Sequence, residues 1–205
     1  MSANVYEERT LPRPLPVGKA GFRTSGWWGM LALIATEASL FAYLLFSYFY
    51  LQSMSTQPWP PSGLPPLRYA IPTTVALLIS AGTMWWSRRS IILGKPTQLA
   101  IGLIVTLLLG VLYVILQFLD WKIEPFLPSS DAYGSLFYII TAAHVLHAIV
   151  GVLILVAMTV WSLLGRISAQ RYVAITVAAM YWYFLVLVWI AIFITLYLLP
   201  YISPH

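Results

Sequence analysis

The chain has 205 residues, of which 60% are hydrophobic and only 8% charged, against roughly 25% charged in soluble domains, so it reads as an integral membrane protein. It has no cysteine, which excludes disulfides, thiolate metal sites and cysteine nucleophiles and leaves the redox compartment unreadable. The net charge of +5 comes from basic residues clustered beside apolar runs rather than along a nucleic-acid stripe, and therefore reports membrane topology.

Residues 1 to 25 form a cytoplasmic tail in which Pro12, Pro14 and Pro16 oppose helix formation. Residues 26 to 205 form a single membrane domain. Five apolar runs there are long enough to span a bilayer, at about 26 to 51, 70 to 93, 97 to 119, 133 to 164 and 173 to 199. The expected fold is thus an all-α, polytopic bundle of five transmembrane helices. The first run is too long for a signal-peptide core and is preceded by Glu7 and Glu8, so no cleaved targeting segment is expected.

That run carries one ionisable side chain, Glu37. It lies roughly 15 Å deep at about 1.5 Å per residue, near the middle of a hydrocarbon core about 30 Å thick. A carboxyl at that depth is a functional-site candidate. Buried without a cation, it stays protonated and donates to a backbone carbonyl, which is the preferred reading. A nearby histidine, lipid headgroup or water chain would make it proton-exchanging. Thr36 and Ser39 are read as buried polar neighbours.

The next loop, with Pro58, Pro60, Pro61, Pro65 and Pro66, cannot be helical. Trp27, Trp28, Trp59, Trp85, Trp86 and Trp121 fall near helix ends, as interfacial anchors do. The second run ends at Arg88 and Arg89. With Arg166 and Arg171 after the fourth run, these are candidate contacts for lipid phosphate as well as topology signals. Counting Arg9, Arg13, Lys19, Arg23 and Lys95 on the same side gives nine basic residues, against Arg68 and Lys122 on the other. The N-terminus is therefore expected in the cytoplasm and the C-terminus outside.

The fourth run holds His144 and His147, and the only other histidine is His205. Residues at i and i+3 share a helix face, so this pair cannot clamp one haem from both sides. A haem-copper centre needs more imidazoles and a copper electron-entry site needs thiolates. Hydrolytic and phosphate-binding motifs are absent, as is a second membrane acid. An odd helix count without visible repeats opposes an inverted-repeat carrier. The chain is expected to hold no metal or cofactor, and the bland reading of the histidines is an interhelical hydrogen bond.

The ordered set Thr36, Glu37, Ala38, Ser39, Leu40, Phe41; Trp59, Pro60, Pro61, Ser62, Gly63; Pro72; Leu109, Gly110, Gln117, Asp120; Tyr133, Gly134, Ser135, Phe137, His144, His147, Gly151; and Tyr181, Trp182, Phe184, Trp189 resembles subunit III of the haem-copper oxidases. It spans nearly all of 26 to 200, in the short five-helix bacterial form that lacks the family's first two helices. The resemblance implies a non-catalytic core subunit of a cytochrome c or quinol oxidase in a bacterial plasma membrane. Such a subunit packs on subunit I, with subunit II and others nearby, holds phospholipid between its helices, and supports proton uptake and enzyme lifetime while oxygen is reduced to water and protons move outward. Haem and copper belong to the partner subunits. Glu37 falls on the family's carbodiimide-reactive glutamate, and His144 and His147 on its paired histidines.

The chain departs from the family in its last helix. Tyr183 and Val186 stand where histidine and aspartate are usual, and Thr176 where an acid is usual. Those losses put a hydrogen-bonded link between the last helix and the helix of His144 in question. They also keep open an accessory protein of a nitric oxide reductase, while an independent carrier or channel is the remaining alternative.

Overall fold

The computed structural model describes residues 25–61, 63–167 and 173–202. Within them the chain is helical, with α1 Ser25–Met54, α2 Leu67–Ile92, α3 Pro96–Trp121, α4 Ala132–Leu163 and α5 Val173–Ile192. After α5 the chain continues through a π-helical stretch, Phe193–Leu198, into a last turn, α6 Leu199–Ile202. The expected five long helices are present and no described residue is in a strand. Four spans are long and apolar enough to cross a membrane: α1, α3, α4 and the continuous segment Val173–Ile202. The fifth, α2, matches them in length but is more polar, with Arg68, Arg88 and Arg89 near its ends and Thr73, Ser80, Ser87 and Ser90 turned inward and buried.

Local signals explain the helix ends. Pro66 lies in extended backbone and stops the preceding loop, and Pro96 opens α3 at its first position, where its missing N–H costs nothing. Asp131 caps α4, its Oδ1 accepting from the Gly134 N–H at 2.6 Å. At about 1.5 Å per residue, the 32 residues of α4 reach about 48 Å. That exceeds the roughly 30 Å core, so α4 tilts or projects beyond it.

Helices α2, α3, α4 and α5 close a ring, each touching the next, and α1 lies outside it against α4 and α5. The ring is centred on Trp182 of α5. Its Nε1 donates to Ser80 Oγ of α2 at 2.9 Å. An added Cβ at Gly110 of α3 would come within 2.7 Å of the Trp182 ring, and one at Gly151 of α4 within 3.0 Å. Only glycine lets the two backbones close on both sides of one indole. Seven residues further along α5, Trp189 repeats the bond, its Nε1 donating to Thr74 Oγ1 of α2 at 2.9 Å. The next inward aromatic is Tyr197, eight residues on. The wider π turn between them takes up the extra residue and keeps Tyr197 facing the ring, where it is fully buried.

Three sequence expectations change on this scaffold. Trp59 is not a lipid-facing anchor, because it is buried against Tyr48 and Tyr133, with ring centroids 5.8 and 5.5 Å away. Trp121 is half-buried and donates to Thr141 Oγ1 at 3.1 Å. Thr36 and Ser39 are exposed, since each hydroxyl is satisfied by a carbonyl one turn back (Leu33 and Ala35) and can face outward at no cost.

Overpacking this centre should be costly. Gly110→Val would push α3 off the Trp182 ring, and we expect a loss of about 1–3 kcal/mol, read as a lower thermal midpoint of the purified protein. Gly82→Ala, where an added Cβ meets nothing within 4 Å inside α2, should not lower the midpoint, since alanine favours the helix interior over glycine.

Candidate functional site: a carboxyl–imidazole pair at membrane depth

Glu37, near the midpoint of α1, and His147, near the midpoint of α4, are brought together. Glu37 Oε2 lies 2.8 Å from His147 Nε2, with the two side chains 24% and 17% exposed. Nδ1 of His147 lies 2.7 Å from the Ala143 carbonyl oxygen. A carbonyl only accepts, so Nδ1 carries a proton and Nε2 is left to Glu37. One proton is then shared across the 2.8 Å contact, on the carboxyl as a neutral acid donating to imidazole, or on the ring as an imidazolium beside a carboxylate. Both forms are net neutral, which is what hydrocarbon depth demands. The carboxyl's partner is thus this imidazole, and not the backbone carbonyl preferred from the sequence.

His144 behaves differently although it is one turn away. It is fully buried. Its Nε2 donates to the Leu185 carbonyl of α5 at 3.0 Å, which leaves Nδ1 to accept from the Tyr113 hydroxyl of α3 at 2.7 Å. Tyr113 and Trp189 pack on its ring at centroid distances of 5.5 and 5.3 Å. This histidine ties α3, α4 and α5 together. Phe41, one turn beyond Glu37, stands between the two imidazoles, at 6.0 Å from His144 and 5.3 Å from His147. Tyr181 fixes the α5 side by donating to the His147 carbonyl at 3.0 Å.

The polar losses in the last helix therefore do not cut it off from His144, because the link runs through the Leu185 backbone, which no substitution removes. Val186 is buried among apolar neighbours, and the Tyr183 hydroxyl and Thr176 Oγ1 are buried without a hydrogen-bond partner. The basic candidates separate as well. Arg88 is partly buried with an unpartnered Nε, Arg89 lies over the Trp85 ring at 5.5 Å, and Arg166 is exposed after α4. Arg171 lies outside the described residues, as do the tail and His205. Among the described residues no group of three His, Cys, Asp or Glu side chains is arranged to hold a metal.

Sequence reasoning placed Gln117 and Asp120 near the end of α3 but missed what gathers there. Gln117 Nε2 donates to Asp120 Oδ2 at 3.2 Å, and the Tyr197 hydroxyl donates to the same oxygen, all three residues being fully enclosed. The spacing of Trp182, Trp189 and Tyr197 carried the signal, but the π turn that brings Tyr197 into register left no mark in the sequence.

These features define a polytopic helical membrane protein whose described mid-span titratable groups include a sealed structural histidine and a partly exposed carboxyl–imidazole pair. The family model described as cytochrome c oxidase subunit III matches residues 18–201, and the chain belongs to that family. Similar proteins include cytochrome c oxidase subunit 3 of Pongo pygmaeus, 32% identical over 191 residues covering 89% of this chain and 71% of the relative. The Lumbricus terrestris protein of the same name is 33% identical, with 83% and 68% covered. That of Locusta migratoria is 30% identical, with 83% and 67% covered.

Tyr113→Phe removes the donor to His144 Nδ1 while keeping the ring. We expect a loss of about 1–3 kcal/mol for the unsatisfied buried nitrogen, measured as a drop in thermal midpoint.

Proposed function

We propose that this chain is the non-catalytic subunit III of a haem-copper terminal oxidase, seated against subunit I with subunit II nearby in a bacterial plasma membrane. Its N-terminus lies in the cytoplasm and its C-terminus outside. It carries no redox centre, and haem and copper reside in the partner subunits. Its work is to hold structural phospholipid, with Arg88, Arg89, Arg166 and Arg171 at the cytoplasmic ends available to lipid phosphate, and to support proton uptake and the lifetime of the oxidase while oxygen is reduced to water.

The observation that carries the reading is the 2.8 Å contact between Glu37 and His147 on the flank of the bundle. It holds a transferable proton without net charge at a depth where an isolated charge is expensive. Its partial exposure lets lipid or a neighbouring subunit meet it sideways. Membership of the subunit III family supports another oxidase subunit as that neighbour.

Purification of the tagged chain from its own membranes in mild detergent, with subunit mass spectrometry and a reduced-minus-oxidised spectrum, tests the assignment. The expected result is stoichiometric recovery with haem-bearing subunits, and oxygen consumption that self-inactivates faster once this chain is stripped away. Recovery alone and haem-free overturns it, and recovery with a nitric oxide reductase moves the chain to that complex.

Glu37→Gln keeps a donor to neutral His147 Nε2 but removes the exchangeable acid. The variant should assemble normally, turn over normally at neutral pH and take up protons more slowly at alkaline pH, read by stopped-flow with a pH dye. Wild-type uptake at alkaline pH would reduce the pair to a clasp between α1 and α4.

A further inference from the structure

The end of the bundle reached by α3 holds an excess of acceptors. Asp120 Oδ2 receives both available donors, from Tyr197 and Gln117. Asp120 Oδ1, Gln117 Oε1 and both carboxylate oxygens of Glu124 are buried with no hydrogen-bond partner. Glu124 lies just past α3 in the connection to α4, between Asp120 and the buried Phe126. The neighbouring Pro125 is exposed and lies beside the loop after α1, where an added Cβ at Gly63 would meet its Cγ at 3.9 Å. Tyr138 of α4 spends its hydroxyl on the Trp121 and Phe126 carbonyls, at 3.2 and 3.3 Å, and Tyr133 on the Leu196 carbonyl at 3.1 Å. Neither donates to Glu124.

The titratable groups in electrostatic reach of Glu124 are Asp120 from α3, Tyr133 and Tyr138 from α4 and Tyr197 from the π turn. None is a cation. Lys122, two residues away, is exposed. The negative end of the α3 dipole adds to the problem, since a carboxylate there meets the last carbonyls of the helix. Of the two carboxyls, Asp120 has donors and Glu124 has none, so Glu124 is the one whose proton nothing in the site replaces.

We propose that Glu124 is a proton-binding site, carrying its proton at neutral pH in the enclosure formed by Asp120, Phe126, Tyr133 and Tyr138. Burial, and then the charge of Asp120, push its carboxyl up from an ordinary 4.5 to about 9. The native state thus binds a proton that the unfolded chain releases. The stability tied to this proton is complete below about 4.5, falls as pH rises from there through about 9, and changes no further above that.

The test is infrared difference spectroscopy of the whole purified complex, wild type against Glu124→Gln. At neutral pH the difference should contain the carbonyl stretch of one protonated carboxylic acid, shifted in deuterium oxide and half-titrated near pH 9 in the wild type. The thermal midpoint of the wild type should fall between pH 6 and 9 more than that of the variant. Ionised carboxylate bands in the difference at neutral pH overturn the proposal, and bands that move on adding a chelator would instead assign a bound cation. If Glu124→Gln fails to assemble, Asp120→Asn serves. It removes the neighbouring charge that helps to hold the Glu124 proton and must move the fall in thermal midpoint to lower pH, while an unmoved fall overturns the proposal.

Discussion

Every polar group at hydrocarbon depth must find its partner inside the protein, because no water is there to supply one. In this chain several of those partners are supplied by α5, although its own Tyr183 and Thr176 hydroxyls are left without one. Trp182 and Trp189 reach across to Ser80 and Thr74 of α2, the Leu185 carbonyl takes His144 of α4, and Tyr181 closes on the His147 carbonyl. Each such bond contributes only about 0.5–1.5 kcal/mol net. They set register more than strength, because sliding α5 by one turn would orphan several groups at once. Cohesion comes from close contact instead, and Gly110 and Gly151 permit it by leaving room for the Trp182 indole between α3 and α4.

The same requirement explains how one pair of histidines becomes two different devices. Three residues of helix turn through 300°, so His144 and His147 point about 60° apart. That difference sends His144 into the ring, where Tyr113 and Leu185 satisfy both nitrogens. It sends His147 to the seam with α1, where the backbone satisfies one nitrogen and Glu37 the other. The first can only hold helices together. The second can also hold a proton in either of two positions.

The five helices were legible because apolar length and flanking charge are one-dimensional signals, and the family resemblance was legible because its motifs keep their order. The partner of Glu37 was not, since nothing in 110 residues of separation says which helix α1 will lean on. Trp59 resembled an interfacial anchor because it sits near a helix end; its burial depends on Tyr48 and Tyr133 arriving from two other elements. Tyr183 and Val186 read as a lost network for a related reason. The surviving link uses a main-chain carbonyl, and main-chain acceptors are the same whatever residue carries them.

The loosest part of the architecture is the seam where Glu37 of α1 meets His147 of α4. Only Phe41 and Tyr48 of α1 are buried, whereas α4 and α5 bury long faces. Across that seam Glu37 and His147 form a strong charge-assisted contact in the imidazolium form and a neutral hydrogen bond in the other. Both side chains are partly exposed, so whatever covers the outer side of α1, lipid or protein, would meet the pair directly. The pair is thereby sensitive to its lateral neighbour in a way that the sealed His144 is not. A subunit bound along that flank would touch the Glu37–His147 contact and the seating of α1 together, because that contact is one of the few that hold α1 to α4.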